Sequence, residues 1–346
     1  MRFLILTWVL LSLSVTSVSA LEIEAPPVPD AAAQWMPDPD TSFPEALLEL
    51  MERTLMALHP DFTEAVAIAR TVLSLVICIS VLYVLCKDHP YIIRTAGTAA
   101  MASILLDSTD AMVRMAAETI TELSEYGKLL LPVMTAALAS QGGVTSSTAL
   151  YMGTAAFDYL LTSLISGILI PATYAFLAVS IGNSAVGEDI LKRLRDLIRS
   201  FISWTLKTLL TVFTTYIGLT GVVSGTTDAV ALKAAKLTIS SAVPVVGGIL
   251  SDASEAVLVS AGLVKNAAGI YGILALLAVF LSPFLKIGLQ YLILKCTAML
   301  CSLFPAKPMS DLIEDVSSAM GFLLAMTGAV CLMLLISTIC FLKGVG

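Results

Sequence analysis

Residues 218–272, GLTGVVSGTTDAVALKAAKLTISSAVPVVGGILSDASEAVLVSAGLVKNAAGIYG, decide how the rest of the chain is read. Asp228, Lys233, Lys236, Asp252, Glu255 and Lys265 stand there among small residues and paired glycines, between strongly apolar runs. Hydrocarbon does not tolerate unpaired charge. Backbone interrupted by glycine is accepted at membrane depth only where protein or a water-filled cavity surrounds it. The stretch therefore reads as the interior of a membrane assembly. Lys233 and Lys236 are three apart and share a helix face, with Ser240 four beyond. Ser251, Asp252, Ser254 and Glu255 cluster on the next segment. The two charged faces either pair to lock the fold or line a hydrated cavity, and Gly247-Gly248 lets the backbone turn or pack closely.

From Gly225 to Gly272 the sequence resembles the stage III sporulation protein AE family. The resemblance extends to the order of features, a cleavable signal, a short acidic N-terminal segment and a polytopic remainder, so it covers nearly the whole chain. It implies a membrane subunit of the channel-like complex joining mother cell and forespore, needed for forespore development after engulfment. It further implies a place in the mother-cell membrane facing the forespore. The partners it implies are other products of the stage III A operon, including the cytoplasmic ATPase stage III sporulation protein AA, and stage II sporulation protein Q of the forespore. No catalytic motif comes with it.

Composition agrees with a membrane protein. Hydrophobic residues make up 58% of the 346 and charged residues 13%, against roughly 45–50% and 25% in soluble domains. Mean hydropathy is +0.93. The net charge of −7 argues against nucleic acid, which needs a dense basic face. The six cysteines, Cys78, Cys86, Cys296, Cys301, Cys331 and Cys340, lie in or at the ends of apolar runs and form no CxxC pair, which predicts small buried hydrophobes. His59 and His89 stand apart from any Cys cluster, so no metal or other cofactor is expected.

In chain order, residues 1–20 read as a signal peptide cleaved after Ala20: a charged start at Arg2, a short apolar run, then Val18-Ser19-Ala20. The alternative, an anchor helix, needs about 20 apolar residues. Residues 21–64 form an acidic, Pro-rich extracytoplasmic segment ending in an amphipathic helix from Phe43 to His59, with Leu47, Leu50, Met51 and Leu55 on one face. Residues 65–130 hold the first transmembrane helix, 65–86, and a long amphipathic helix. Lys87, His89 and Arg94 follow the span and mark the cytoplasmic side. On the amphipathic helix Asp107, Asp110, Arg114, Glu118, Glu122 and Glu125 make one polar face, opposite Ile104, Ala111, Met115 and Ile120, as on a bundle-edge or interfacial helix.

A shift of 112 residues superimposes Leu131-Pro132-Val133 on Val243-Pro244-Val245, Tyr159 on Tyr271 and Pro171 on Pro283. This divides the remainder into membrane repeat 1 (131–224), a central polar connector (225–242) and membrane repeat 2 (243–346). The segment 188–199 carries four basic and three acidic residues, 306–316 one basic and three acidic. The first is thus expected to be cytoplasmic and the second external, which makes the repeats inverted. The fold class that follows is an all-α polytopic membrane protein with amphipathic or re-entrant segments and about seven transmembrane helices: 65–86, 148–170, 171–186, 200–223, 266–282, 284–304 and 318–342. The prolines at 171 and 283 either end helices or kink them. At 267–304, almost two spans long, a tight hairpin is expected.

Arg70, Asp158, Lys207, Lys286 and Lys295 stand in or beside apolar spans, and an intramembrane charge is a functional hypothesis by default. Lys286 and Lys295 can snorkel to an interface. Asp158 is the sharpest candidate, with Lys207 its expected counter-ion, either as an interhelix pair or as part of a relay. The candidate pore or interhelix residues are therefore Asp158, Lys207, Asp228, Lys233, Lys236, Asp252 and Glu255. GTTDAV and VVGGILSD lack the GxxxxGK[ST] order of a phosphate loop, and no GxSxG elbow occurs, so neither nucleotide hydrolysis nor other catalysis is expected. Inverted repeats with broken segments leave a second function open, a secondary transporter with its site between the halves.

Overall fold

The structure, a computed structural model, describes residues 26–37, 41–86, 88, 90–140, 144–219 and 267–343. Residues 1–20 with their cleavage site lie outside the described residues. So do Lys87, His89, Gly142-Gly143, and the central charges Asp228, Lys233, Lys236, Asp252, Glu255 and Lys265.

The described residues form helices and no strands. A single turn, α1 (Asp30–Ala33), precedes α2 (Phe43–Ala57), which Ser42 opens: the Glu45 carboxylate accepts from Ser42 N–H (3.3 Å) and Ser42 Oγ (2.7 Å). Phe43, Ala46 and Leu50 are buried, and Leu47 and Met51 pack on the core beside them. Leu55, expected on that face, is exposed. Then come α3 (His59–Leu85), α4 (Pro90–Ser140), α5 (Val144–Leu164), a π-turn (Ile165–Leu169), α6 (Ile170–Val186), α7 (Asp189–Leu219), α8 (Ala267–Cys301) and α9 (Lys307–Lys343).

Among the described residues, four stretches are long and apolar enough to cross a membrane: His59–Leu85, Leu150–Val186, Gly269–Cys301 and Lys307–Leu342. In the last two, 72% and 83% of the most apolar window is buried, against 28% and 33% in the first two. The α8–α9 hairpin is thus the centre of the bundle, while α3 and α5–α6 turn apolar side chains outward, as lipid requires.

Four apolar spans replace the expected seven, and the prolines explain most of the difference. Pro171 does not end a helix. It lacks an N–H, and its ring crowds the carbonyl four residues back, which belongs to Gly167; the π-turn just upstream relieves that crowding and lets α5 and α6 run on as one span. Pro283 lies inside the continuous α8, so the hairpin expected at 267–304 is absent and the turn comes at residues 302–306. Pro132 lies inside α4 and starts nothing. Residues 200–219 are the second half of the amphipathic α7.

The halves are not inverted. Arg195 in α7 pairs with Asp315 in α9 at 3.0 Å, so the segments expected on opposite sides of the membrane meet at one end of the bundle. No ion pair reaches across a bilayer about 30 Å thick. Where it is described, each half instead runs in the same sense, a long proline-containing helix followed by a turn and a returning helix.

The turn after α6 is made by Gly187, whose φ of 82° lies in the left-handed region and whose N–H caps Asn183 O at 2.8 Å. Arg94, near the start of α4, donates to Ser184 O (2.6 Å) and Asn183 O (2.9 Å) and so brings a cation to the negative end of α6. The space a Gly187 side chain would take is filled by that guanidinium.

Cysteine burial departs from expectation. Cys301, Cys331 and Cys340 are buried, but Cys78, Cys86 and Cys296 are exposed. A membrane helix has no need to hide a small apolar side chain from lipid, so apolar flanks do not predict burial in protein.

Candidate functional site

Two buried polar centres are built between the helices. The first is at Asp158 on α5, 2% exposed. Its Oδ2 accepts a hydrogen bond from Ser124 Oγ of α4 at 2.7 Å, while Oδ1 has no partner among the described residues. Four residues before it on the same helix face, Thr154 Oγ1 meets Ser337 Oγ of α9 at 3.1 Å. The expected partner is not found. Lys207 is half-buried on α7, and no ion pair joins it to Asp158. α5 meets α7 instead through rings, Phe157 lying 5.5 Å from Phe213 and 5.6 Å from Tyr216 between centroids.

The second centre joins α7 to α9. Asp315 accepts from Arg195 Nη1 (3.0 Å, Oδ2) and Arg199 Nη2 (3.3 Å, Oδ1), and Arg199 Nη2 also donates to Ser318 Oγ at 2.8 Å. The Asp315 side chain is only 4% exposed. Burial works against the Arg195 guanidinium, but Asp315 and Asp196 outweigh it and hold its pKa above the usual arginine value. The Arg199 guanidinium lies 5.7 Å from the centre of the Phe176 ring, which meets Phe322 edge-on at 5.3 Å. Two cations around one carboxylate, backed by rings, make a rigid clamp between the returning helices.

Two further span charges are paired at the periphery. Lys286 of α8 meets Asp61 of α3 at 3.3 Å, and Lys295 of α8 meets Glu314 of α9 at 2.7 Å. The second pair borders a recess of about 500 Å³ at the α8–α9 turn, lined also by Phe304, Lys307 and Asp311. Arg70 is exposed. Among the described residues, no group of three or more His, Cys, Asp or Glu side chains is placed to hold a metal ion.

With this geometry in place, comparison with known proteins gives a direct result. The sequence profile of the family described as Stage III sporulation protein AE matches residues 45–344, most of the chain. The chain belongs to the stage III sporulation protein AE family. This family member is 26% identical over 236 residues to the Stage III sporulation protein AE of Bacillus subtilis (strain 168). That alignment takes in 68% of this chain and 59% of the relative's length. No solved structure matches.

The family match includes both buried centres. Sequence reasoning found Asp158 because a carboxylate among AAFDYLLTSL is conspicuous. It missed Ser124, which stands between Glu122 and Glu125 of the acidic face in sequence but is buried against α5. It also missed the Arg195–Asp315–Arg199 clamp of this family member, because charge counting placed the two segments on opposite sides of the membrane.

Proposed function

We propose that this protein is an integral membrane subunit of the channel-like transenvelope complex that joins mother cell and forespore in sporulation, and that it is required for forespore development after engulfment. The observation that carries this reading is the family match over residues 45–344, which takes in all four apolar spans. The fold suits the role. A buried α8–α9 hairpin gives a stiff centre, and α3 and α5–α6 offer outward apolar faces to lipid or to neighbouring subunits.

In this reading the protein lies in the mother-cell membrane facing the forespore, with its N-terminus outside the cytoplasm after signal removal. Its partners are other stage III A operon products, among them a cytoplasmic ATPase that supplies energy, and the forespore stage II sporulation protein Q. The secondary-transporter alternative is not carried further, because the Arg195–Asp315 contact removes the inversion on which it rested.

Affinity capture of a tagged full chain from membranes of sporulating cells tests the reading, with spore yield of a deletion strain measured beside it. Recovery of operon partners together with arrest after engulfment is expected. Normal spore yield in the deletion strain, or capture of none of these partners, overturns it.

A further inference from the structure

α4 runs antiparallel to the span formed by α5 and α6. Arg94 near its start meets Asn183 and Ser184 at the end of α6, Asp110 accepts from Tyr174 at 2.7 Å, and Ser124 donates to Asp158. The part of α4 between 110 and 124 therefore lies beside 158–174, the middle of the span Leu150–Val186. α9 gives the same level, since a side chain on Gly127 would come within 2.7 Å of Leu334, well inside the span Lys307–Leu342. From 107 to 128, at 1.5 Å per residue, α4 rises about 30 Å, the thickness of a hydrocarbon core. This helix returns the chain across the bilayer although it is not one of the four apolar spans.

Its outward face at that depth is charged. Asp107, Arg114, Glu118 and Glu125 are exposed along one line of the helix, Thr121 is exposed beside them, and Asp110, Glu122 and Lys128 flank the row. That is five carboxylates against two cations. Apart from the local Arg114–Asp110 pair at 2.8 Å, no ion pair among the described residues links Asp107, Glu118, Glu122 or Glu125 to another helix. A second, independent polar group lies on the inner flank. Asp158, held to α4 by Ser124, is all but completely buried, and its Oδ1 meets no donor among the described residues.

A row of charges crossing the bilayer cannot face hydrocarbon; it faces water that protein encloses. A basic partner helix fits less well, because it would set like charges against Arg114 and Lys128. We propose that this face of α4 lines a water-filled passage through the bilayer that favours cations, its other walls supplied by neighbouring subunits. The proposal deepens the subunit role above and rests on it for the identity of those neighbours.

The test uses the full chain in membranes of sporulating cells, with its six native cysteines replaced and single cysteines placed at Glu118, Thr121 or Glu125. Controls at Ile77, Leu160 and Ile168 lie on exposed apolar positions of the spans. Each is treated with a permanently cationic and a permanently anionic methanethiosulfonate. The α4 cysteines are expected to react, about tenfold faster with the cationic reagent. The controls are expected to resist both, yet take a lipid-soluble maleimide. Thr121→Cys changes no charge and keeps the test readable if losing a glutamate lowers protein levels. Failure of the α4 cysteines to react, the result a covering partner helix would give, overturns the proposal, as does equal reaction with the two reagents. Spore yield of the deletion strain separates the claims: labelling with normal sporulation removes the subunit role alone, and absence of labelling with arrested sporulation removes the passage alone.

Discussion

Arg195 of α7 and Asp315 of α9 form a 3.0 Å ion pair with both side chains largely shielded from solvent. The pair fixes the two returning helices at the same end of the bundle, and Arg199 completes it from one turn further along α7. Breaking a buried pair by removing one partner costs about 3–5 kcal/mol, because the remaining charge is left uncompensated. Asp315→Ala strands two guanidinium groups and is expected to lower both membrane-inserted protein and the thermal unfolding midpoint in detergent. Arg199→Ala leaves the Arg195 contact in place and is expected to cost less. Equal, near-zero shifts for both variants would show that the clamp does not hold α7 to α9.

The same contact sets the topology. A cysteine at Lys192 and one at Asp311, both exposed, are expected to react with an impermeant thiol reagent from the same side of the membrane. Labelling from opposite sides would restore the inverted arrangement and contradict the parallel one.

At the other centre, Ser124→Ala leaves the buried Asp158 carboxylate without its hydrogen-bond donor. An unsatisfied buried polar group costs about 1–3 kcal/mol, so the variant is expected to unfold at lower temperature. Asp158→Asn keeps an oxygen for Ser124 and removes the charge, and is expected to stay near wild type in stability. A Lys207→Met variant as destabilised as Ser124→Ala would revive the ion pair with Asp158 that the structure does not show.

The central charges remain a proposal from sequence alone. If Asp252 and Lys233 pair, Asp252→Lys lowers the amount of membrane-inserted protein and a compensating Lys233→Asp restores it. If the stretch lines a cavity, the single reversal accumulates normally while sporulation stops after engulfment. Quantifying inserted protein beside spore counts distinguishes the two. Normal values of both for reversals at Asp228, Lys233, Lys236, Asp252 and Glu255 would remove both roles.

Sequence alone was enough for the family, through the resemblance of residues 225–272, and for the class of protein, the amphipathic helix from Phe43, the apolar crossing before Cys86 and the polar face of α4, because each of these last rests on composition or on the period of a single helix. Asp158 was legible for the same reason, a charge standing where local hydropathy excludes one. The tertiary structure decided what depends on neighbours. Whether Pro171 and Pro283 end a helix is settled by whether adjacent turns and packed helices absorb the missing hydrogen bond, and here they do. Ala111 was placed on the apolar face of α4 and is exposed, because the face that packs runs through Met101, Leu105, Val113, Ala116 and Ile120. Charge counts on 188–199 and 306–316 could not reveal that Arg195 and Asp315 neutralise each other. An ion pair between residues 120 positions apart is a property of the fold, and only the packing of α7 on α9 brings the two together.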